Sequence, residues 1–518
     1  MLRRQFLTSA LLVLLVAAVG AQAQTADPRL AEIDAYAQKA LTDWHVPGFA
    51  IAIVKDDKVV FAKGYGVREL GKPEKVDDAT LFAIASNSKA FTAAAIGLLV
   101  DEGKLQWDDP VTKYLPWFQM PDPFVTREMT VRDLLSHRSG FDTFSGDLLW
   151  YESNYPREEI IRRVRFLKPK FSFRSHYGYQ NLMFLTAGEI VKAVSGQSWD
   201  DFVKTRFFGP LQMTHSVTSI RELPRGGNVA TPHNEVDGKI RVIRYGNVDS
   251  SGGAAAINSC VGDMAQWIRM HLAGGSFEGK VILKPRTARE LQQPNTIIPI
   301  SPGGEAFIPS RHFNAYGMGF FLSDYQGRKL VQHSGGLDGM ISQVALMPEE
   351  KLGVVILSNS ETSVPAIMMY QVLDTFLGVS PKRDWSAEFL ARVATGQKEA
   401  QVEQAKIEAA RVLNTKPSLA LDAYAAIYRS TLYGDAKISL ENGHLVLSLV
   451  SSPNFAGDLE HWQYDTYRVK WRDSVVYPFA QKGWVTFTLD KDGKTDQLKI
   501  DDPNPDFDFT ELELHRVP

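Results

Sequence analysis

The 518-residue sequence has one cysteine, Cys260, almost no net charge, and no internal apolar run of membrane-spanning length. A lone cysteine excludes an intrachain disulfide framework, so packing must supply the stability. The 57 Lys and Arg residues against 60 Asp and Glu residues leave a formal charge of -3, which removes the electrostatic basis for nucleic acid as a partner. The sequence also lacks His-Glu-x-x-His and Cys-x-x-Cys, and Gly64-Tyr65-Gly66 lacks the third glycine of a dinucleotide loop. We therefore expect no metal, nucleotide or other cofactor.

The N-terminus has the pattern of an export signal. Arg3 and Arg4 precede the apolar run of residues 10–19, and Ala21-Gln22-Ala23 offers the small residues that signal peptidases select. The run is shorter than the roughly 20 residues that span a bilayer, so we predict a cleavable signal over residues 1–23. The twin arginine leaves the general and the twin-arginine export routes both open. We expect a periplasmic or secreted protein with no integral membrane segment after cleavage.

Strand patterns occur at both ends of the segment 24–380. Residues 49–54 and 58–62 are rich in β-branched residues and predict a hairpin, preceded by a helix over residues 29–44. Residues 343–347 and 354–357 predict a second hairpin late in the segment. With helices between them, these hairpins indicate an α+β domain whose antiparallel sheet joins both ends of the segment.

Two helices in the middle of that segment have clear sequence signals. An apolar stripe from Phe91 to Leu99 predicts an amphipathic helix that begins near Ser86 and ends at Gly103. A second apolar repeat, from Phe184 to Val194, predicts a helix that starts just after Asn181 and ends before Gly196.

The composition changes after about residue 380. Residues 381–415 include a stretch rich in Ala, Glu, Gln and Lys that predicts a solvated helical linker. Short strand patterns over residues 436–440, 445–450, 485–489 and 498–500 then predict a small all-β domain over residues 416–518.

Ser86-Asn87-Ser88-Lys89 opens the first of these helices. Free backbone N–H groups at a helix N-terminus stabilise negative charge, and Lys89 lies one turn from Ser86 on the same face. The pattern fits an activated serine nucleophile. Taken alone, it fits an ordinary N-cap serine and a solvated lysine better.

Tyr179-Gln180-Asn181 stands directly before the second helix. A tyrosine serves as a general base only if its pKa falls by roughly 3 units, and one ammonium about 4 Å away could supply that. We therefore expect Lys89 to lower the pKa of Tyr179. By itself, Tyr179 fits a packed aromatic residue with a satisfied hydroxyl better than a general base.

His333-Ser334-Gly335-Gly336 precedes a strand of the second hairpin. The glycines would let a substrate backbone approach the sheet, and the N–H groups of Gly336 and Ser86 could bind an oxyanion. In isolation this segment reads as a glycine-rich turn.

These three motifs, in this order, resemble the serine β-lactamase and penicillin-binding-protein superfamily, specifically its class C-like branch. Further similar stretches are residues 130–140, Tyr316-Gly317-Met318-Gly319 and Leu357-Ser358-Asn359. Residues 416–518 resemble the small lipocalin-like β-barrel of some members, with landmarks at Tyr424, Tyr428, Gly434, His461, Trp462 and Tyr467. The resemblance implies a β-lactamase/transpeptidase-like domain over residues 24–380, followed by a β-barrel domain.

The resemblance also implies a role for each motif residue. Ser86 would form an acyl-enzyme, Lys89 and Tyr179 would handle protons, and Ser86 and Gly336 would form the oxyanion hole. Asn181 and the segment His333, Ser334 and Gly335 would bind substrate. Where typical β-lactamases carry a lysine, His333 is largely uncharged at neutral pH, which weakens recognition of a substrate carboxylate.

We therefore expect an exported serine hydrolase acting on amide or ester bonds of a small molecule or peptide. A D-stereospecific peptidase or carboxypeptidase fits best. A carboxylesterase or β-lactamase of the same fold is the alternative, and a penicillin- or peptidoglycan-fragment-binding protein with little turnover is the alternative of another class. Assembly into a homo-oligomer stays open.

Overall fold

The computed structural model of the protein describes residues 27–236, 238–476, 483–502, 504 and 506–518. The predicted export signal, residues 1–23, lies outside the described residues. Within them, no helix is both long and apolar enough to cross a membrane.

The first domain is built on an eight-stranded antiparallel sheet in the order β2-β1-β14-β13-β12-β11-β10-β9. β1 pairs with β14, with Phe49 opposite Ser358, so strands from both ends of the domain lie side by side as predicted. Both predicted hairpins are present. The strands of this domain are β1 (Gly48–Lys55), β2 (Lys58–Gly66), β3 (Phe82–Ala83), β4 (His233–Val236), β5 (Lys239–Val242), β6 (Asn258–Ser259), β7 (Ser276–Phe277), β8 (Lys280–Val281), β9 (Thr296–Ile297), β10 (Asn314–Tyr316), β11 (Phe321–Tyr325), β12 (Arg328–Leu337), β13 (Met340–Met347) and β14 (Leu352–Ser358).

Helices cover both faces of this sheet, which explains why β1 is apolar along its whole length. Phe49, Ile51 and Ile53 face a core shared with α1 and α12, whereas Ala50 and Ala52 face a larger core shared with the central helices. The helices are α1 (Pro28–Asp43), α2 (Ser88–Asp101), α3 (Pro123–Glu128), α4 (Val131–Leu134), α5 (Arg157–Arg163), α6 (Asn181–Ser195), α7 (Trp199–Val203), α8 (Gly252–Ala255), α9 (Val261–Leu272), α10 (Pro285–Leu291), α11 (Pro302–Phe307) and α12 (Val364–Leu377).

Helix α2 differs from its prediction in two ways. Ser86 lies in a 3-10 turn, Ala85–Asn87, and the α-helix begins at Ser88. We predicted one buried face, but the residues of the helix from Ser88 to Leu99 are all buried. The reason is tertiary, because α6, α8 and α10 all pack against α2.

The second domain is a closed barrel of eight antiparallel strands, which confirms the predicted fold class. A 25-residue helix, α13 (Trp385–Ala409), precedes it, and its exposed surface agrees with the predicted solvated linker. The remaining elements are α14 (Leu421–Tyr424), β15 (Ala426–Ser430), β16 (Gly434–Glu441), β17 (His444–Leu449), β18 (Ser452–Gln463), β19 (Thr466–Trp471), β20 (Trp484–Leu489), β21 (Thr495–Asp501) and β22 (Leu514–Arg516).

The core of the first domain contains a closely stacked aromatic pair. Phe91 of α2 is fully buried, and its ring lies 3.7 Å from that of Trp267 on α9. We expect Phe91→Ala to lower the free energy of unfolding by about 3–5 kcal/mol, the usual cost of removing a buried aromatic ring. Thermal unfolding followed by circular dichroism measures this. Phe124→Ala, at a side chain that is 55% exposed, is the matched control and should change the midpoint little; equal shifts for both variants would contradict this account.

Candidate active site

Ser86 lies at the junction between β3 and α2. Ala85, directly before it, has a φ of 45°, a left-handed conformation that is uncommon for alanine and costs about 1 kcal/mol or more. The pairing of β3 with β6 fixes the start of this junction. Ser86 faces a cleft of about 680 Å³ between the helical part of the domain and strand β12.

Lys89 is fully buried one turn after Ser86 and contacts three oxygen atoms. Its Nζ lies 2.9 Å from Ser86 Oγ, 2.6 Å from Asn181 Oδ1 and 3.0 Å from the carbonyl oxygen of Ala254. The three oxygen atoms belong to the 3-10 turn before α2, the first residue of α6 and helix α8. Ser86, Lys89 and Asn181 therefore meet as the motifs predict.

Burial lowers the pKa of Lys89 to about 7, although the charge of Asp147 opposes this effect. A neutral lysine has two N–H donors and one lone pair. Asn181 Oδ1 and the Ala254 carbonyl oxygen can only accept, so they take the two N–H groups. The lone pair is then directed at the Ser86 hydroxyl, which is the arrangement a general base requires.

Asn181 is connected in turn to Asp147, a residue that the sequence analysis missed. Asn181 Nδ2 donates to Asp147 Oδ2 at 2.5 Å, which fixes the amide with its oxygen towards Lys89. Burial raises the pKa of Asp147 to about 8. Lys89 and Asp147 therefore both have a pKa close to neutral pH.

Tyr179 lines the same cleft, but its expected activation by Lys89 is wrong. Lys89 Nζ lies 4.8 Å from the centroid of the Tyr179 ring. Burial raises the pKa of Tyr179 well above 10, and the contact with Ser86 opposes this only in part. The prediction assumed a permanent ammonium beside a solvated phenol, whereas the structure buries both groups. Tyr179 is therefore a neutral phenol that can donate a proton to a developing negative charge.

The stretch of residues 130–140 positions Tyr179. His137 Nδ1 accepts a hydrogen bond from the backbone N–H of Gln180 at 2.9 Å, and its ring centroid lies 4.2 Å from that of Tyr179. Asp133, which is fully buried, caps α4 and bonds to Arg138 and Arg174 at 2.6 and 2.7 Å. Sequence reasoning identified this stretch as similar to the family, without a role.

His333 lies in the cleft wall with both ring nitrogens engaged by the protein. Its Nδ1 lies 2.6 Å from the Ser334 carbonyl oxygen, which can only accept, so Nδ1 carries the proton. Its Nε2, 3.0 Å away, accepts from the hydroxyl of Tyr316. Burial lowers the pKa of His333 to about 3, so the ring is neutral across the physiological range. In this geometry His333 orients Ser334 and offers no charge to a substrate carboxylate.

Strand β12 presents an open edge to the cleft. β13 pairs with β12 from Val331 to Leu337, but β11 pairs with it only as far as Gln332. From residue 333 onward the outer edge of β12 is unpaired by β11, and Ser334 and Gly336 are exposed on it. An extended substrate backbone can add to this edge as a further strand.

Gly335 brings β12 against the Ser86 turn. A Cβ atom there would lie 2.2 Å from the Ile84 carbonyl oxygen and 2.9 Å from the Ser86 nitrogen, so only glycine fits. Gly336, the next residue, has space for a side chain. Ser86 and Gly336 both border the cleft, as the predicted oxyanion hole requires.

The family model described as "Beta-lactamase" matches residues 33–373. The chain belongs to the beta-lactamase family. A second model, described as "Domain of unknown function (DUF3471)", matches residues 410–516, the barrel region.

Three proteins illustrate the similarity. The unguisins hydrolase ungD of Aspergillus violaceofuscus (strain CBS 115571) is 28% identical over 434 residues, which are 78% of this chain and 75% of that protein. The octameric penicillin-binding protein homologue from Pyrococcus abyssi has a TM-score of 0.61 at 21% identity and covers 94% of this chain and 100% of its own. The D-amino acid amidase from Ochrobactrum anthropi SV3, solved with L-phenylalanine amide, has a TM-score of 0.55 at 23% identity and covers 67% and 99%.

This member of the beta-lactamase family has a cleft wall that includes the barrel. Asp506 and Phe507, between β21 and β22, border the cleft, and the Phe507 ring lies 4.7 Å from that of Tyr151. Glu511 accepts hydrogen bonds from the Gly146 N–H and the Tyr433 hydroxyl at 2.9 and 2.7 Å. The barrel thus contacts the segment that carries Asp147.

Among the described residues, His215, Cys260 and Asp263 form a group of three potential metal ligands within 4.8 Å of one another. Asp263 Oδ2 already accepts from two backbone N–H groups, those of His215 and Ser216, and from the Ser216 hydroxyl. Burial raises the pKa of Cys260 to about 12, which opposes the thiolate that a metal needs. Hydrogen bonding within the protein accounts for this group.

The close approach at Gly335 gives a direct test of the site. We expect Gly335→Ala to lower kcat/KM by roughly 10²-fold or more, because β12 must move away from Ser86 and small displacements of reacting groups cost about that much. Hydrolysis of a chromogenic ester measures it. Gly303→Ala, at a position with open space for the methyl group, is the control and should keep full activity. Normal activity of Gly335→Ala would show that the contact between β12 and the Ser86 turn does not matter.

Proposed function

We propose that this protein is an exported serine hydrolase that cleaves amide or ester bonds through an acyl-enzyme on Ser86. The observation that carries the proposal is the 2.9 Å contact between Ser86 Oγ and the buried Nζ of Lys89, at the wall of a large cleft. A nucleophile, an adjacent base and a third group that orients the base form the usual arrangement for nucleophilic catalysis.

In the proposed reaction, neutral Lys89 takes the proton of Ser86 as Oγ attacks the substrate carbonyl. The backbone N–H groups of Ser86 and Gly336 bind the oxyanion, and a proton passes to the leaving group. Tyr179, a neutral phenol at the same cleft, is placed to supply that proton and to regain one from the protonated Lys89. Water then attacks the acyl-enzyme, giving its proton to neutral Lys89, and that proton returns to Ser86 Oγ as the acyl bond breaks and the carboxylic acid leaves.

We assign the substrate class to small amides or peptides, with a D-stereospecific peptidase as the best candidate. The neutral His333 resembles the residue of D-specific peptidases in the family, and the fold is shared with a D-amino acid amidase. The hydrolase name of the Aspergillus relative supports turnover over simple binding. Carboxylesterase or β-lactamase activity of the same site is the second candidate.

Export through residues 1–23 to the periplasm or the medium belongs to the proposal. Intact mass of the protein recovered outside the cytoplasm tests it, since cleavage after Ala23 leaves Gln24 as the first residue. The Pyrococcus homologue is described as octameric. Self-association of this chain is a proposal that light scattering tests.

We expect Ser86→Ala to abolish labelling by a fluorophosphonate probe and to abolish ester hydrolysis. Its thermal midpoint should change by only a few degrees, because a single hydroxyl is removed at the cleft surface. Ser175→Ala, at an exposed serine, is the matched control. Retained labelling would exclude Ser86 as the nucleophile. Intact-mass measurement separates turnover from binding, because a non-hydrolysing binder keeps the acyl adduct without releasing product.

The pKa of Lys89 predicts the pH profile. Because Lys89 must be neutral to accept the serine proton, kcat/KM for a neutral ester should rise with pH with an apparent pKa of about 7. Initial rates between pH 5 and 9 measure this. Lys89→Arg keeps the positive charge at all these pH values, so activity and the rising limb should both be lost. A profile that is flat below pH 7 would argue against Lys89 as the base.

A further inference from the structure

Three carboxyl groups meet at the end of the cleft next to the barrel. Asp338 lies in the turn between β12 and β13, Glu361 follows β14, and Asp506 comes from the barrel domain. All three border the same cleft as Ser86. They are brought together from segments that are far apart in the chain and belong to different domains.

Within the described residues, none of these three carboxyl groups has a cationic partner. The tight turn supplies one backbone contact, from the Gly339 N–H to Glu361 at 3.3 Å. The adjacent Glu152 shows the contrast, because Arg244 neutralises it at 3.0 Å. Glu152 is thus neutralised by an arginine, whereas within the described residues no cation neutralises the group of three.

Charge repulsion acts between Glu361 and each of the other two groups. Burial raises the pKa of Asp338 to about 7, and the charge of Glu361 adds to the effect. Desolvation between the cleft walls likewise raises the pKa of Glu361 to about 7, although its side chain is open to the cleft, and the charge of Asp506 adds to the effect. Repulsion of this kind favours the uptake of a proton or the binding of a positively charged group.

One buried carboxylate oxygen of this group lacks a hydrogen-bond partner among the described residues. Asp338 Oδ1 accepts from the Tyr151 hydroxyl at 2.8 Å, but its Oδ2 has no hydrogen-bond partner. Buried polar atoms without partners are rare in native proteins and call for an explanation such as a bound group.

Among the described residues, those that line the cleft include Asp147, Asp338, Glu361 and Asp506 but no arginine or lysine. We propose that Asp338, Glu361 and Asp506 form a subsite for a protonated amine of the substrate. This inference deepens the proposed function and rests on it for the position of the scissile bond. The substrate class then becomes an amide or ester with a free amino group, and not one recognised through a carboxylate.

The open edge of β12 sets the distance between this subsite and the reaction centre. Asp338 follows Gly336 by two residues and lies just past the end of β12, so at roughly 3.3 Å per extended residue its backbone is at most about 7 Å from that of Gly336. An extended substrate added to this edge reaches the subsite with its second residue from the scissile carbonyl. The free N-terminus of a short peptide fits this span.

The test compares glycyl-D-alanine p-nitroanilide with its N-acetyl and N-succinyl derivatives, which replace the amine by a neutral and by an acidic group. The L-alanine epimers serve as a parallel set. We expect kcat/KM at pH 7.5 to be at least about tenfold higher for the free amine than for the acetyl derivative, and lowest for the succinyl derivative. Equal values, or a preference for either blocked substrate, would overturn the subsite.

The double variant Glu361→Gln/Asp506→Asn removes two of the three charges at positions that are exposed to the cleft. We expect the ratio of amine to acetyl kcat/KM to fall to near one. The control Glu399→Gln/Asp496→Asn removes the same charges at exposed positions on α13 and the barrel and should keep the ratio. A ratio unchanged in the first variant would also overturn the proposal.

A binding measurement separates this inference from the proposed function. Calorimetry on Ser86→Ala with glycyl-D-alaninamide and its N-acetyl derivative needs no turnover, and tighter binding of the free amine is expected. If no substrate is hydrolysed but this preference is found, the subsite stands and the proposed function fails. If Ser86-dependent hydrolysis is found without any amine preference in rate or binding, the proposed function stands and the subsite fails.

Discussion

The buried amine of Lys89 is the interaction on which the site depends. Removing a lysine ammonium from water costs several kcal/mol, and the protein offsets part of this with Asn181 Oδ1 and the Ala254 carbonyl oxygen. The part of this cost that the two contacts do not offset lowers the pKa of Lys89 to about 7. Helices α2, α6 and α8 must all be in place to supply these contacts, which explains why α2 is buried on every side.

The antiparallel sheet provides the other half of the site. Because β11 separates from β12 after Gln332, the sheet ends in a free edge at the point where Gly335 approaches the Ser86 turn. Strand β12 therefore places buried side chains in the core and also presents its free edge to the cleft. In the proposed function, an extended substrate added to this edge would run along β12 towards the turn at Asp338.

Residues with a local signal could be predicted from the sequence. Ser86, Lys89 and Asn181 stand at helix starts with recognisable spacing, and the structure brings them together. Asp147, Glu361 and Asp506 could not be found in this way, because each is an ordinary acid in its own segment and gains meaning only through tertiary contacts. The pKa of Tyr179 was predicted in the wrong direction because burial of the phenol has no signature in the sequence.

The same distinction between local sequence signals and tertiary contacts applies to the elements of the fold. The paired strands β1 and β14 were predictable from β-branched runs, and α6 from its periodicity and Gly196. Burial of α2 on all faces was not, because it depends on helices that are remote in sequence. In the barrel, β15, β18 and β19 were not predicted, and β18 contains Pro453 and Gly457, two residues that weaken a strand pattern.

The contact between Glu511 and the Gly146 N–H links the two domains next to Asp147. A second link joins them where Asn454 donates to Glu152 at 2.5 Å, the acid that Arg244 also pairs. Mutations on either side of this boundary are therefore constrained by the other side. A barrel exchanged between two homologues would have to bring its own matching loop from the hydrolase domain, so the two domains are expected to be inherited as a unit.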